Sequence, residues 1–129
     1  FNSNGNLKGI KRDLYEGGIR VPMIAYWPSK IKANKTVSQL GAFWDFFPTF
    51  CQIVQQPIPT NADGISILPT LLSKSKKSQK QHSYLYWEFH EDGGRQAVRI
   101  SNWKGVRLGV MKNPNAPVES IPAFALPII

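Results

Sequence analysis

Ten prolines and ten glycines are scattered along 129 residues, and this punctuation constrains the fold more than any other feature. Proline is excluded from helix interiors and central strand positions, and glycine favours turns. The chain therefore reads as many short elements and not as a long helical bundle. Its length gives room for one modest domain. With 42% hydrophobic and 19% charged residues it is not a disordered polar tract. No apolar run approaches the roughly 20 residues that a spanning helix needs, so no membrane partner is expected. Phe1-Asn2-Ser3-Asn4-Gly5 has neither the basic nor the apolar region of a signal peptide. One cysteine, Cys51, excludes an internal disulfide framework and a multi-cysteine zinc site. Sixteen Lys and Arg against eight Asp and Glu leave a net charge of +8, which points to an anionic partner.

Along the chain, the first stretch (1–72) and a second (83–119) are separated by a basic, acid-free loop at 73–82, with Lys74, Lys76, Lys77 and Lys80. Residues 120–129 form a tail of different character. Ile19-Arg20-Val21-Pro22-Met23-Ile24-Ala25-Tyr26-Trp27-Pro28 has strand character, at least beyond Pro22. Leu40, Phe43, Trp44, Phe47, Phe50, Cys51 and Val54 follow the rhythm of an amphipathic helix. Pro48 means that this helix either kinks or begins nearby with Asp45 as its N-cap. Ser83 to Phe89 reads as a strand, and Gln96–Ile100 with Trp103–Leu108 as a hairpin turning at Ser101-Asn102. The fold class is α/β in content with an antiparallel C-terminal part.

Motifs for chemistry are sparse. His82 and His90 stand eight residues apart without a cysteine partner, and Glu88, Glu91 and Asp92 around His90 form no recognised metal loop. Cys51 lies on the apolar face of the expected helix, where a thiol packs as a small hydrophobe. No G-x-S-x-G surrounds any serine, and Asp63 and Ser66 read as turn and cap residues. No RRM, KH or zinc-finger signature supports a nucleic-acid partner. The informative segment is Leu7-Lys8-Gly9-Ile10-Lys11-Arg12-Asp13-Leu14-Tyr15-Glu16-Gly17-Gly18-Ile19-Arg20-Val21-Pro22. Gly17-Gly18 permits a sharp bend or close backbone approach. Glu16 and Arg20 flank it as a pair that fixes the bend when buried. Lys8, Lys11 and Arg12 then project either as a grip for an oxyanion or as an ordinary solvated basic loop.

This segment resembles the signature L-R-G-x-K-x-x-x-Y-E-G-G-x-R-V-P of the formylglycine-dependent sulfatases, the arylsulfatase family. The similarity continues through Ala25-Tyr26-Trp27-Pro28, the D-x-x-P-T pattern at Asp45, Pro48 and Thr49, and Asp63 to Leu72. It extends to Tyr84–Phe89, Gln96–Arg99 and Trp103-Lys104, covering about residues 1–119. The resemblance implies the end of a sulfatase, alkaline-phosphatase-like α/β core followed by a C-terminal antiparallel sheet. It implies that Lys11 contacts the substrate sulfate, and that Lys8 stands where the family has arginine, losing bidentate geometry. Glu16, Gly17, Gly18 and Arg20 fall on structural positions, and His90, Glu91 and Arg99 where the family lines its substrate pocket. The partner implied is a sulfate ester (aryl, steroid or glycan), and the complete enzyme is expected to be periplasmic or secreted.

The family uses calcium, held by Asp and Asn ligands, and a formylglycine made from the Cys or Ser of C/S-x-P-x-R. Neither is expected in this chain: Cys51 is followed by Gln52-Ile53-Val54-Gln55, and the calcium ligands belong to other segments. A chain without nucleophile or metal cage is expected to be inactive alone and to self-associate through uncovered apolar faces. The tail from Ser120 to Ile129 does not resemble the family, which suggests a truncated or frameshifted product. The rival reading is a non-catalytic module that binds sulfated glycans or other polyanions through Lys8, Lys11, Arg12 and the Lys74–Lys80 loop.

Overall fold

The computed structural model describes residues 3–72 and 79–123. Lys74, Lys76 and Lys77 of the basic loop, and 124–129 of the tail, lie outside the described residues. Those described form two units, one of 3–21 with 83–123 and the other of 22–72 with 79–82.

The first unit is a four-stranded antiparallel sheet in the order β1 (Leu85–Phe89), β2 (Arg95–Ile100), β3 (Trp103–Leu108) and β4 (Glu119–Pro122). The hairpin turns at Ser101-Asn102, so that Ile100 faces Trp103 and Ala97 faces Val106. β4 takes up Ser120, Ile121 and Pro122, so the sheet runs into the tail. Registers align Trp87, Ala97, Val106 and Glu119 in one row, and Leu85, Arg99, Lys104 and Ile121 in the next. Residues of a row share one face of the sheet. That face receives the opening segment: Leu14 and Tyr15 form the core with Ala97 and Val106, and Ile19, Trp87, Phe89 and Ile121 pack around it. A short helix, α1 (Glu16–Ile19), closes the opening segment.

The second unit holds a 3-10 turn at Phe43–Asp45, then α2 (Phe46–Ile53) and α3 (Leu68–Leu71). α2 begins immediately after Asp45, with Pro48 in its first turn, where a missing N–H costs nothing. One expectation needs correction here. Residues 20–27 form no strand, and Val21, Ile24 and Tyr26 are exposed. A strand exists through its hydrogen-bonded neighbour, and the second unit has no strand among its described residues to pair with this segment. The apolar stripe along α2 is turned outward, in line with the expectation of uncovered apolar faces: Phe43, Phe47, Phe50 and Val54 are all more than half exposed. The inward side carries Asp45, Pro48 and Thr49. Polar groups win that face because they satisfy the backbone of the 64–67 segment. Asp45 Oδ1 accepts from Ile65 N at 2.8 Å and also meets His82 Nε2 at 2.7 Å. Thr49 Oγ1 accepts from Ile67 N at 3.0 Å and donates to the Asp45 carbonyl at 2.6 Å. Cys51 is half-buried, and Ser66 Oγ accepts from Leu68 N at the start of α3.

Candidate functional site

The candidate site is the opening segment of the first unit, where the bend is built around absent side chains. Gly17 N donates to the Lys8 carbonyl at 2.8 Å, and Gly18 N to the Tyr15 carbonyl at 2.9 Å. A Cβ on Gly17 would stand 2.4 Å from the Gly9 carbonyl oxygen, and one on Gly18 2.1 Å from that of Asp13. Only glycine admits both approaches.

Beneath the bend lies a charged cluster. Glu16 is 5% exposed, and its Oε1 accepts from Lys104 Nζ at 2.9 Å. Its Oε2 accepts from Arg99 Nη1 at 3.0 Å and Arg20 Nη1 at 3.3 Å. Lys104 is fully buried, with its ammonium 4.8 Å from the centre of the Trp87 ring. Burial pulls this ammonium below the usual lysine range, although Glu16 opposes the shift. Arg99 and Lys104 are cross-strand neighbours, an arrangement that repels unless a carboxylate lies between them. Three cations thus converge on one acid, and Glu16 fastens α1 to β2 and β3.

The remaining predicted residues have distinct settings. Lys8 pairs with Glu119 of β4 and lies 4.3 Å from the centre of the Tyr15 ring. Tyr15 Oη donates to the other Glu119 oxygen at 2.6 Å. The hydrogen bond that Lys8 donates to Glu119 raises the Lys8 ammonium, and those donated by Lys8 and Tyr15 lower the Glu119 carboxyl. Burial, followed by the bond to Glu119, raises the Tyr15 phenol. Lys11 is exposed at the tip of the 10–13 turn and makes no hydrogen bond or ion pair with any described residue. His90 is exposed just after β1, while Arg99 is occupied by Glu16.

Arg95, which no sequence motif marks out, joins the two turns. Its Nη1 donates to the Arg12 carbonyl at 2.8 Å and to Asp13 Oδ1 at 2.6 Å, and its Nη2 to Asp92 Oδ2 at 3.0 Å. Arg12 and Glu91 add an ion pair at 3.3 Å. Hence the turn carrying Lys11 and the turn carrying His90 and Glu91 are tied together.

Residues 10–112 match the family described as N-sulphoglucosamine sulphohydrolase, C-terminal. The chain belongs to the sulfatase family. It is 38% identical to human steryl-sulfatase over 86 residues, which is 65% of this chain and 14% of that protein. It is 36% identical to mouse arylsulfatase G over 103 residues, 73% of this chain and 18% of the relative. The crystal structure of "a putative sulfatase from Bacteroides thetaiotaomicron" superposes on 60% of this chain and 17% of its own, with a TM-score of 0.50 and 25% identity. The architecture is therefore part of the sulfatases' alkaline-phosphatase-like fold. The chain spans less than a fifth of the length of these two curated relatives.

The described residues do not fit the family's cofactors. Among them no three His, Cys, Asp or Glu side chains are grouped to hold a metal ion. Cys51 sits within α2 without the proline and arginine that formylglycine formation requires.

Proposed function

We propose that this chain supplies the sulfate-binding lysine of an enzyme that hydrolyses sulfate esters, and that Lys11 is that lysine. One observation carries the reading. Of the four cations between residues 8 and 20, Lys8, Arg12 and Arg20 each pair with a carboxylate, and Lys11 pairs with none among the described residues. A compact ammonium on a braced turn suits a sulfate, whose non-bridging oxygens carry the charge that must be neutralised as the ester bond breaks. Calcium and formylglycine, which the family resemblance implies for the complete enzyme, would supply the Lewis acid and the nucleophile. His90, on the turn that Arg95 ties to that of Lys11, is assigned to the same site, whereas Lys8 and Arg99 act through the fold, since their charges are engaged by Glu119 and Glu16. The same engagement of Lys8 and Arg12 counts against a diffuse polyanion-binding surface. By itself the chain hydrolyses no sulfate ester, and metal-independent turnover of an aryl sulfate by the purified chain would overturn that statement.

The test is a titration of the 129-residue chain with inorganic sulfate at fixed ionic strength. Lys11→Ala sharply weakens sulfate-specific binding, while Lys8→Ala and an alanine version of the Lys74–Lys80 loop keep it. Binding that survives Lys11→Ala and fades steeply with added salt would establish the polyanion module instead.

A further inference from the structure

We propose that Arg95 is a positioning residue for Lys11: its guanidinium fixes the turn on which the sulfate-binding ammonium stands. The inference rests on the reading of Lys11 as the sulfate ligand and adds a residue to that site. Arg95 reaches the two residues that follow Lys11, at the Arg12 carbonyl and the Asp13 carboxylate, and holds Asp92 of its own turn with the other amino group. The planar guanidinium sets its two amino groups a fixed distance apart and sends them to different turns, a spread that the compact ammonium of a lysine does not reproduce. Asp13 is bound from its other oxygen as well, since Oδ2 accepts from Ile10 N at 2.9 Å. That bond and the one from Arg95 make one carboxylate span the turn from Ile10 to Asp13, with Lys11 inside it.

Arg12 adopts a φ of 76°, a left-handed conformation that a residue with a side chain holds only when its surroundings enforce it. The turn that imposes it closes on itself, with Asp13 N donating to the Ile10 carbonyl at 2.9 Å, and the bond from Arg95 holds the Arg12 carbonyl from outside. On the other side the turn rests against Gly18, whose Cα lies under the carbonyls of Ile10 and Asp13. With Arg95 gone, the turn keeps its own closure but loses its tie to the 90–95 turn, so the Lys11 side chain it carries is held less firmly. A long, exposed lysine meets a small anion at a fixed point only if its backbone is held, so a loose turn binds sulfate less well.

A double-mutant cycle on the full 129-residue chain tests this, with inorganic sulfate as the probe and thermal melting as the parallel readout. Arg95→Ala is expected to weaken sulfate binding by at least about twofold when Lys11 is present, within the range that coupled neighbours show. It is expected to have no further effect in the Lys11→Ala background, while its effect on melting is the same in both. Arg95→Lys, which keeps the charge and the fold, should lose affinity in the same way and stands in if the alanine variant does not fold. An Arg95 effect of equal size with and without Lys11, or no effect on affinity, overturns the proposal and leaves Lys11 in its role. Unchanged affinity in Lys11→Ala itself removes the sulfate-ligand reading and this inference together.

Discussion

Glu16→Gln and Lys104→Met remove opposite charges from one cluster and should have very unequal effects on stability. Glu16 is the acid shared by Arg20, Arg99 and Lys104, whose donors lie 3.3, 3.0 and 2.9 Å from its oxygens. Neutralising it leaves three cations facing one another where water scarcely enters. Breaking a buried ion pair from one side costs about 3–5 kcal/mol. Methionine at 104 has the opposite logic. Glu16 keeps both arginines, and the fold loses an ammonium whose charge burial already disfavours. Exchanging a buried charge for an apolar side chain of similar volume gives a change within about 1 kcal/mol of zero. Urea unfolding of the 129-residue chain, followed by its four tryptophans, separates the two. With a slope of about 1–3 kcal/mol/M, Glu16→Gln lowers the midpoint by at least about 1 M and Lys104→Met by far less. A pH signature accompanies it. The Lys104 pKa is lower in the fold than its ordinary 10.5, so between the two values the unfolded chain holds more protons. Stability then rises with pH across that window, and Lys104→Met removes this rise. Equal losses from the two substitutions, or a Glu16→Gln midpoint unchanged from wild type, would refute the reasoning.

Other measurements bear on the remaining contacts. Thr49→Val deletes the hydroxyl that bridges Ile67 N and the Asp45 carbonyl; with a buried N–H left unsatisfied it should cost about 1–3 kcal/mol in the same unfolding assay. Glu119 is held below its ordinary 4.5 by Lys8 and Tyr15, so its contribution is present above that value and fades as pH falls through the folded pKa. An acid titration of Glu119→Gln should therefore lack that share of the acid-side loss, and an unaltered profile would disprove the Lys8–Tyr15–Glu119 contact. The exposed row Phe43, Phe47, Phe50 and Val54 should drive self-association; light scattering showing a monomer at all concentrations would count against it.

What the sequence disclosed depended on how local the information was. The Ser101-Asn102 hairpin, the start of α2 after Asp45 and the bend at Gly17-Gly18 are written in neighbouring residues, and all three are present. Alternation along β2 pairs Ala97 with Arg99 but does not reveal that this side is the buried one. That depends on Glu16, 83 residues from Arg99 and 88 from Lys104. A buried lysine therefore looked like any surface cation. Arg95 was invisible for the same reason, since its partners at Arg12 and Asp13 lie 83 and 82 residues away. The segment after Pro22 and the outer face of α2 have strand-like and helical patterning, yet patterning does not specify a covering partner. Apolar side chains there are exposed among the described residues.

Sulfate recognition by this chain turns on the ammonium of Lys11, and its own resonance is the place to look. With the lysine amines labelled with nitrogen-15, sodium sulfate is added and sodium chloride lowered so that ionic strength stays constant. A saturable shift confined to Lys11 Nζ and the backbone amides of the 10–18 bend is the predicted result. Shifts spread evenly over the lysines, or none at Lys11 while sulfate rises, would contradict it.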